Sequence, residues 1–323
     1  MIEVTHLTKQ YGNHLAVSDL SFTVEDGKIY GLLGPNGAGK STTMNIMTGC
    51  LAPTSGTVTI EGFDIFDEPI KAKRQIGYLP EIPPLYTEMT PREYLTFAAR
   101  LKGVPRAEIP AQLSRVMAVT QIADMQKRII KNLSKGYRQR VGIAQALLGN
   151  PRVIILDEPT VGLDPKQIIE IRDLIKSLGK EHTVILSSHI LGEVQAVCDH
   201  IMIISKGRLA ASDTPENLKR RFKGETTLSI TVKAASEKTE KLLRTLSGVS
   251  SCTVEPDEDG NARASITAID DTALRERVFL LFAEHQLPIL EMTAKKASLE
   301  DIFLEFTDDC GTDAPTANDK EAV

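Results

Sequence analysis

The stretch GKIYGLLGPNGAGKSTT, residues 27–43, constrains the fold more than any other part of the chain. An apolar run, IYGLLG, reads as a strand that enters a loop of the form G-x-x-x-x-G-K-S, and a helix begins near Lys40. Glycines suit such a loop because only a backbone without Cβ can curl its N–H groups around phosphate oxygens. Lys40 would neutralise β- and γ-phosphate charge, Ser41 would place its hydroxyl on magnesium, and the helix would point its positive end at the anion. A strand, a phosphate cradle and a helix in that order belong to α/β architecture with a mainly parallel sheet.

The rest of residues 1–215 agrees, alternating short β-branched runs with helical stretches punctuated by Gly and Pro. PRVIILDEP is almost wholly apolar and ends in two carboxylates, as expected of a central strand whose carboxyl end reaches a ligand crevice. HTVILSSH repeats the pattern and ends in His189. Between the glycine loop and the acidic strand lies a more helical block, about residues 82–132, in which Thr90, Pro91 and Glu93 form a capping box with proline at the first helical position.

Beyond residue 215 the character changes. The basic stretch ENLKRRFKGE, residues 216–225, reads as a solvated linker. From residue 226 the order is strand, helix, strand, the turn DEDG, strand, helix, strand: a β-α-β-β-α-β, ferredoxin-like domain reaching residue 307. Its last piece, SLEDIFLEFT, reads as a short helix capped by Ser298, and the polar, acidic tail 308–323 is expected to be disordered.

Bulk properties narrow the functional class. With 323 residues, 41% of them hydrophobic, the chain can bury one large core and one smaller one. A formal charge of -5 argues against a protein that wraps nucleic acid by general electrostatics. Four scattered cysteines make neither a disulfide framework nor a zinc spacing, which fits reduced thiols in a cytoplasmic compartment. The start, MIEVTHLTKQYG, lacks a signal-peptide core, and no run approaches the roughly 18 apolar residues of a membrane helix. The chain is therefore expected neither to cross a membrane nor to leave the cell by itself.

Asp157 and Glu158 are expected to divide the work: Asp157 on the magnesium side, Glu158 polarising the attacking water as general base. Adjacent strand residues face opposite ways, so both can serve only where the strand ends and bends, a bend ascribed to Pro159. In NLSKGYRQRVGIAQALLGN, Ser134 can cap an amphipathic helix whose free N–H groups offer a second anion site. Between Lys127 and Arg140 stand six basic residues and no acid, an excess of cation expected beside a triphosphate.

Together these motifs resemble the nucleotide-binding subunit of an ABC transporter, over residues 1 to about 215. GPNGAGKST matches the Walker A loop (Gly34, Pro35, Asn36, Gly37, Ala38, Gly39, Lys40, Ser41 and Thr42), and VIILDEP the Walker B strand with its catalytic glutamate. LSKGY stands where the family has LSGGQ, VGLDP matches the D-loop with Asp164, His189 the switch histidine that contacts γ-phosphate, and Tyr11 the residue that stacks on adenine. The resemblance implies a P-loop NTPase of ABC type with a helical subdomain, followed by the small α+β ferredoxin-like domain. It further implies an ATPase using ATP and Mg2+, with Lys40, Glu158 and His189 catalytic and Ser41, Asp157 and Glu81 near the metal. Two subunits would meet head to tail, so that Ser134, Gly136 and Asp164 of one close over the other's Walker A loop.

Three positions depart from the family pattern: Glu81 for the Q-loop glutamine, Lys135 for the first signature glycine and Tyr137 for the signature glutamine. A carboxylate 4 Å from γ-phosphate would suffer roughly 4 kcal/mol of repulsion at an effective dielectric near 20, so Glu81 should face the metal or its waters, or turn away. The implied partners are an integral membrane permease subunit and a second ATPase subunit, identical or paralogous, with no nucleic acid. The implied location is the cytoplasmic face of the membrane, and IPPLY and EYLTFAARL are candidate contacts with the permease. The carboxyl-terminal ending resembles that of bacterial exporter ATPases. The competing reading is a soluble ABC-type ATPase, such as the iron-sulfur assembly type.

Overall fold

The computed structural model describes residues 1–221, 225–247, 249–257, 259–269 and 273–296. In chain order the first elements are β1 (Ile2–Tyr11), β2 (His14–Val24), β3 (Ile29–Leu33), α1 (Lys40–Met47), β4 (Ser55–Ile60), β5 (Phe63–Asp64), α2 (Pro69–Arg74) and β6 (Ile76–Leu79). A helical block follows with α3 (Pro91–Leu101), α4 (Ile109–Val119) and α5 (Lys135–Leu147). Next come β7 (Val153–Leu156), α6 (Pro165–Leu178), β8 (Thr183–Ser188), α7 (Leu191–Val197), β9 (His200–Ser205), β10 (Arg208–Asp213) and α8 (Pro215–Arg221). The last are β11 (Glu225–Val232), α9 (Ser236–Leu243), β12 (Val249–Pro256), β13 (Ala262–Ile269), α10 (Leu274–Glu284) and β14 (Ile289–Lys296).

These elements form two compact units, Met1–Pro215 and one beginning at Glu216. The larger unit is built on a six-stranded sheet in the order β10-β9-β3-β8-β7-β6, parallel except for the β9–β10 hairpin. β3, β7 and β8 are buried at every residue, which explains their unbroken apolar sequences: both faces of a parallel sheet are covered. A second sheet, β2-β1-β4-β5, is antiparallel and was not foreseen. Its β1 shows one-sided alternation at its start, with Ile2 and Val4 buried and Glu3 exposed. Both sheets contribute to one core through Ile2, Leu20, Val58, Leu32, Ile155 and Met202, with α1 supplying Met44 and Met47.

The helical block follows its sequence signals. Thr90 accepts from Glu93 N at 3.3 Å while Glu93 accepts from Thr90 N at 2.9 Å, closing the expected capping box on α3. Of EYLTFAARL, Tyr94, Leu95, Ala98 and Ala99 are buried and form one core-facing side, whereas Leu101 is 73% and Ile82 82% exposed. Burial pushes the Tyr94 hydroxyl up to about 12.

The smaller unit orders its strands β12-β13-β11-β14, all antiparallel, with the helices between strands as the β-α-β-β-α-β pattern requires. Leu228, Ile230 and Val232 of β11 meet Leu243 of α9 and Val278 and Phe282 of α10 in a separate core. The stretch expected as a linker carries α8. SLEDIFLEFT and the acidic tail lie outside the described residues.

Candidate functional site

At the carboxyl ends of β3 and β7 the chain does what the motif requires. β3 ends at Leu33, the glycine loop follows, and α1 begins at Lys40 with Gly39 at φ 102 as its N-cap. A Cβ at Gly39 would lie 2.5 Å from the Ala16 carbonyl oxygen, so both the dihedral and the space demand glycine there. Thr43 Oγ1 donates to Gly39 O at 2.8 Å and anchors the turn to the helix.

The loop borders a cavity of about 330 Å3 lined by Tyr11, Asn36 to Thr42, Glu81, Glu158 and His189, joined by His14, Ala16 and Val161. Most of the predicted site is thus in one place, including exposed Glu81. His14 lies there beside Tyr11 because the two pair across the β1–β2 hairpin. Lys9 Nζ sits 5.2 Å from the Tyr11 ring centroid, a cation over an aromatic face at the cavity's edge.

Lys40 is buried, and its Nζ donates to Gly34 O at 2.7 Å and Pro35 O at 3.2 Å, 3.6 Å from Glu158 Oε1. Glu158 is also buried, and its Oε2 lies 3.0 Å from His189 Nδ1. Lysine, glutamate and histidine therefore form one contiguous constellation drawn from α1, the end of β7 and the end of β8. Asp157 points the other way: its Oδ1 accepts from Ser187 Oγ at 2.6 Å and from Ser41 Oγ at 3.3 Å. Burial, and after it the Asp157 charge, raise the pKa of the Tyr78 hydroxyl, which donates to Asn45 Oδ1 at 3.1 Å.

Asp157 and Glu158 do split at the strand's end, but the turn is made by Glu158 itself, which has φ 47, rather than by Pro159 alone. A left-handed glutamate costs on the order of 1 kcal/mol or more and persists only when its surroundings hold it. Ser187 Oγ provides one such hold, accepting from Glu158 N at 2.8 Å while donating to Asp157. Ser187 was not legible as a site residue from sequence alone. Two hydroxyls closing an otherwise apolar strand, in ILSSH, were the only hint.

Ser134, Gly136 and Asp164 are not among the residues lining this cavity. Ser134 caps α5, accepting from Tyr137 N at 3.3 Å, and Asp164 caps α6, accepting from Gln167 N at 2.9 Å. The two helix starts are neighbours: a Cβ on Gly136 would meet the Gln167 side chain at 2.8 Å, and one on Gly162 would come 2.2 Å from Lys135 Nζ. Tyr137 donates its hydroxyl to Asp124 Oδ2 at 3.1 Å, tying the start of α5 to the segment that follows α4.

The six basic residues between Lys127 and Arg140 stand apart from this cavity. None lines the cavity, and two are structural: Arg140 is buried against Glu170 at 2.6 Å, and Lys131 pairs with Glu88 at 2.7 Å. The run of cations is a helical-block scaffold in part, not wholly a phosphate field.

The family profile described as ABC transporter matches residues 17–161, a span that includes the glycine loop and Glu158. The linearmycin resistance ATP-binding protein LnrL of Bacillus subtilis (strain 168) is 33% identical over 95% of this chain and 98% of its own length. The bacitracin transport ATP-binding protein BcrA of Bacillus licheniformis is 34% identical over 95% of this chain and 97% of its own. Among solved structures, an ATP-binding subunit of an ABC transporter superposes with TM-score 0.63 at 34% identity, over 69% of this chain and 93% of that one. A dimeric ATP-binding cassette in a post-hydrolysis state, bound to ADP and Pi, gives 0.60 at 26% identity, over 66% of this chain and 98% of that one. With a phosphate-binding loop, a buried glutamate at the end of the neighbouring strand and full-length relatives of this kind, the chain belongs to the ABC transporter family as an ATP-binding, ATP-hydrolysing subunit.

Proposed function

We propose that the protein powers export through a separate membrane-spanning partner, working as a pair of ATPase subunits that share their nucleotides. The observation that carries the paired arrangement is the separation of parts: Lys40, Glu158 and His189 surround the cavity, while Ser134, Gly136 and Asp164 are absent from its lining. A second copy gives those capped helix starts, with their free N–H groups, an anion to meet. The related cassette with ADP and Pi is dimeric, which supports the same reading.

In this proposal the glycine loop and Lys40 bind the β- and γ-phosphates, and Tyr11 stacks on the base. Glu158 takes a proton from the attacking water, and His189, 3.0 Å from that carboxylate, keeps it aimed and contacts the γ-phosphate. Ser41 and Asp157 place two hard oxygen donors 3.3 Å apart, a set suited to Mg2+ once phosphate oxygens complete its shell. Among the described residues no cluster of three or more His, Cys, Asp or Glu could hold an ion alone. Magnesium would supply charge neutralisation between the β- and γ-phosphates, and it gives Glu81 at the same cavity a reason to be tolerated.

No described helix is long and apolar enough to cross a membrane, and in this proposal the work is delivered to a separate chain. We place the permease contact on a cleft of about 940 Å3 lined by exposed Ile70 and Leu101 together with Lys73, Arg74 and Lys102. Such a contact would hold the protein at the cytoplasmic face of the membrane. Export rather than import rests on the transport and resistance names of relatives that align over nearly the whole chain. The smaller unit is assigned to dimerisation or regulation; unchanged ATPase activity and unchanged dimer lifetime after deleting residues 222–323 would refute that assignment.

Glu158→Gln tests the central reading. It should leave nucleotide binding intact, stop hydrolysis and accumulate an ATP-bound dimer on gel filtration. Only monomers in the presence of ATP would count against the shared-nucleotide arrangement, and undiminished hydrolysis would remove Glu158 from its role. Recovery of the protein from its native membrane without any integral companion would favour a soluble ATPase instead.

A further inference from the structure

We propose that Glu193, which takes no part in binding nucleotide, is a positioning residue that locks the loop carrying Glu158 to the loop carrying His189. The inference rests on the ATPase reading above. Glu193 stands in the first turn of α7 and is only 6% exposed. One of its oxygens, Oε2, accepts two hydroxyl hydrogen bonds, from Thr160 Oγ1 and from Ser188 Oγ, the latter at 3.2 Å. Thr160 lies two residues after Glu158, and Ser188 immediately precedes His189. The Ser188 hydroxyl also accepts from Ile190 N at 3.0 Å, closing the turn that presents the histidine.

A carboxylate drawn out of water is expensive unless hydrogen bonds satisfy it, so a purely space-filling role would be met better by an apolar side chain. What the carboxylate does here is add a second tie between these two segments, beyond the one that Ser187 makes to Asp157 and Glu158. Glu158 needs that support because its backbone is left-handed. Its own N–H is held by Ser187 from β8, and the turn that follows it, closed by Val161 N to Glu158 O at 3.2 Å, is held through Thr160 by Glu193. The grip therefore comes from both sides of the catalytic glutamate, and both grips lead back to the strand that ends in His189. Glu193 is absent from the cavity lining and no hydrogen bond joins it to the glycine loop, so its loss should disturb hydrolysis while sparing nucleotide binding.

The test uses the full chain, with steady-state ATP hydrolysis, binding of a fluorescent ATP analogue and thermal melting measured on the same preparations. Glu193→Ala should lower kcat by about tenfold or more, the scale of effect expected from a misplaced catalytic group, and leave KM within about twofold. Glu193→Gln, whose amide oxygen can accept both hydroxyls, should recover most of the activity. Thr160→Val should reproduce part of the loss and add nothing in the Glu193→Ala background, because both remove one linkage. Wild-type kcat in Glu193→Ala, or a Glu193→Gln variant as impaired as the alanine, would overturn the proposal. So would parallel losses of analogue affinity, melting temperature and kcat, which would mark a general fold contact. A wild-type protein that hydrolyses no ATP would sink the ATPase reading itself, an outcome distinct from all of these.

Discussion

At the scale of single residues, the glycine loop offers a contrast between two kinds of glycine. Gly37 has φ 80 but open space around its missing Cβ, whereas Gly39 combines φ 102 with a backbone oxygen 2.5 Å from where a Cβ would stand. Gly37→Ala should therefore show only dihedral strain, on the order of 1 kcal/mol, while Gly39→Ala must also move the Ala16 strand. For a unit of this size each kcal/mol shifts the melting temperature by about 2–4 °C, so the second variant should melt distinctly lower and bind ATP more weakly. Equal losses in thermal melts would show that contact with β2 is immaterial. The loop residues were legible because contiguous sequence specifies them: glycine spacing, lysine and serine are read off one line. Ser187, Thr160 and Glu193 were not, because their meeting depends on three segments converging, and a carboxylate four residues after a histidine looks like any helix-surface acid until its burial is seen.

Among the elements, α5 shows how a helix end can hold a cation under strain. Lys102, just past α3, donates from Nζ to Ala146 O at 3.0 Å and Leu148 O at 3.1 Å, satisfying carbonyls that the end of α5 leaves free. Burial lowers its pKa from 10.5 to about 8. The folded value lies below the unfolded one, so between those values the unfolded chain binds more protons and stability rises with pH. Urea melts should show the wild type gaining on Lys102→Met between pH 8 and 10. A difference that does not change with pH would mean the ammonium is not penalised by its surroundings. Strand and helix positions were mostly legible here since Gly and Pro punctuate them, and β13 follows the turn DEDG as the expected order requires. The antiparallel sheet was not, because β1 and β2 share one long amphipathic stretch broken only at Gly12 and Asn13, and their register shifts blur the alternation that would mark a hairpin.

For the whole molecule, the division into two compact units, each with a core of its own among the described residues, implies two cooperative units. Calorimetry should resolve two transitions, and a non-hydrolysable ATP analogue with Mg2+ should raise only the one belonging to the larger unit. At a hundredfold excess over Kd the linkage is worth about 2.7 kcal/mol, enough to separate the peaks visibly. A single transition, or an equal rise in both, would show that the units unfold as one. The division itself was legible from the change of sequence character after residue 215. The helical form of α8 was not, since a run rich in Lys and Arg serves a solvated helix and a solvated linker equally well.

The strand order of the smaller unit has a consequence for how the protein is born. β11 is its first strand in sequence yet lies between β13 and β14, so it has no pairing partner until residues near 262 have been made and lacks its second until residue 289 and beyond. At roughly 5–20 residues per second, a nascent chain leaving the ribosome leaves that strand unpaired, with Leu228, Ile230 and Val232 uncovered, for several seconds. Throughout that interval a holdase chaperone has its best opportunity to engage the polypeptide.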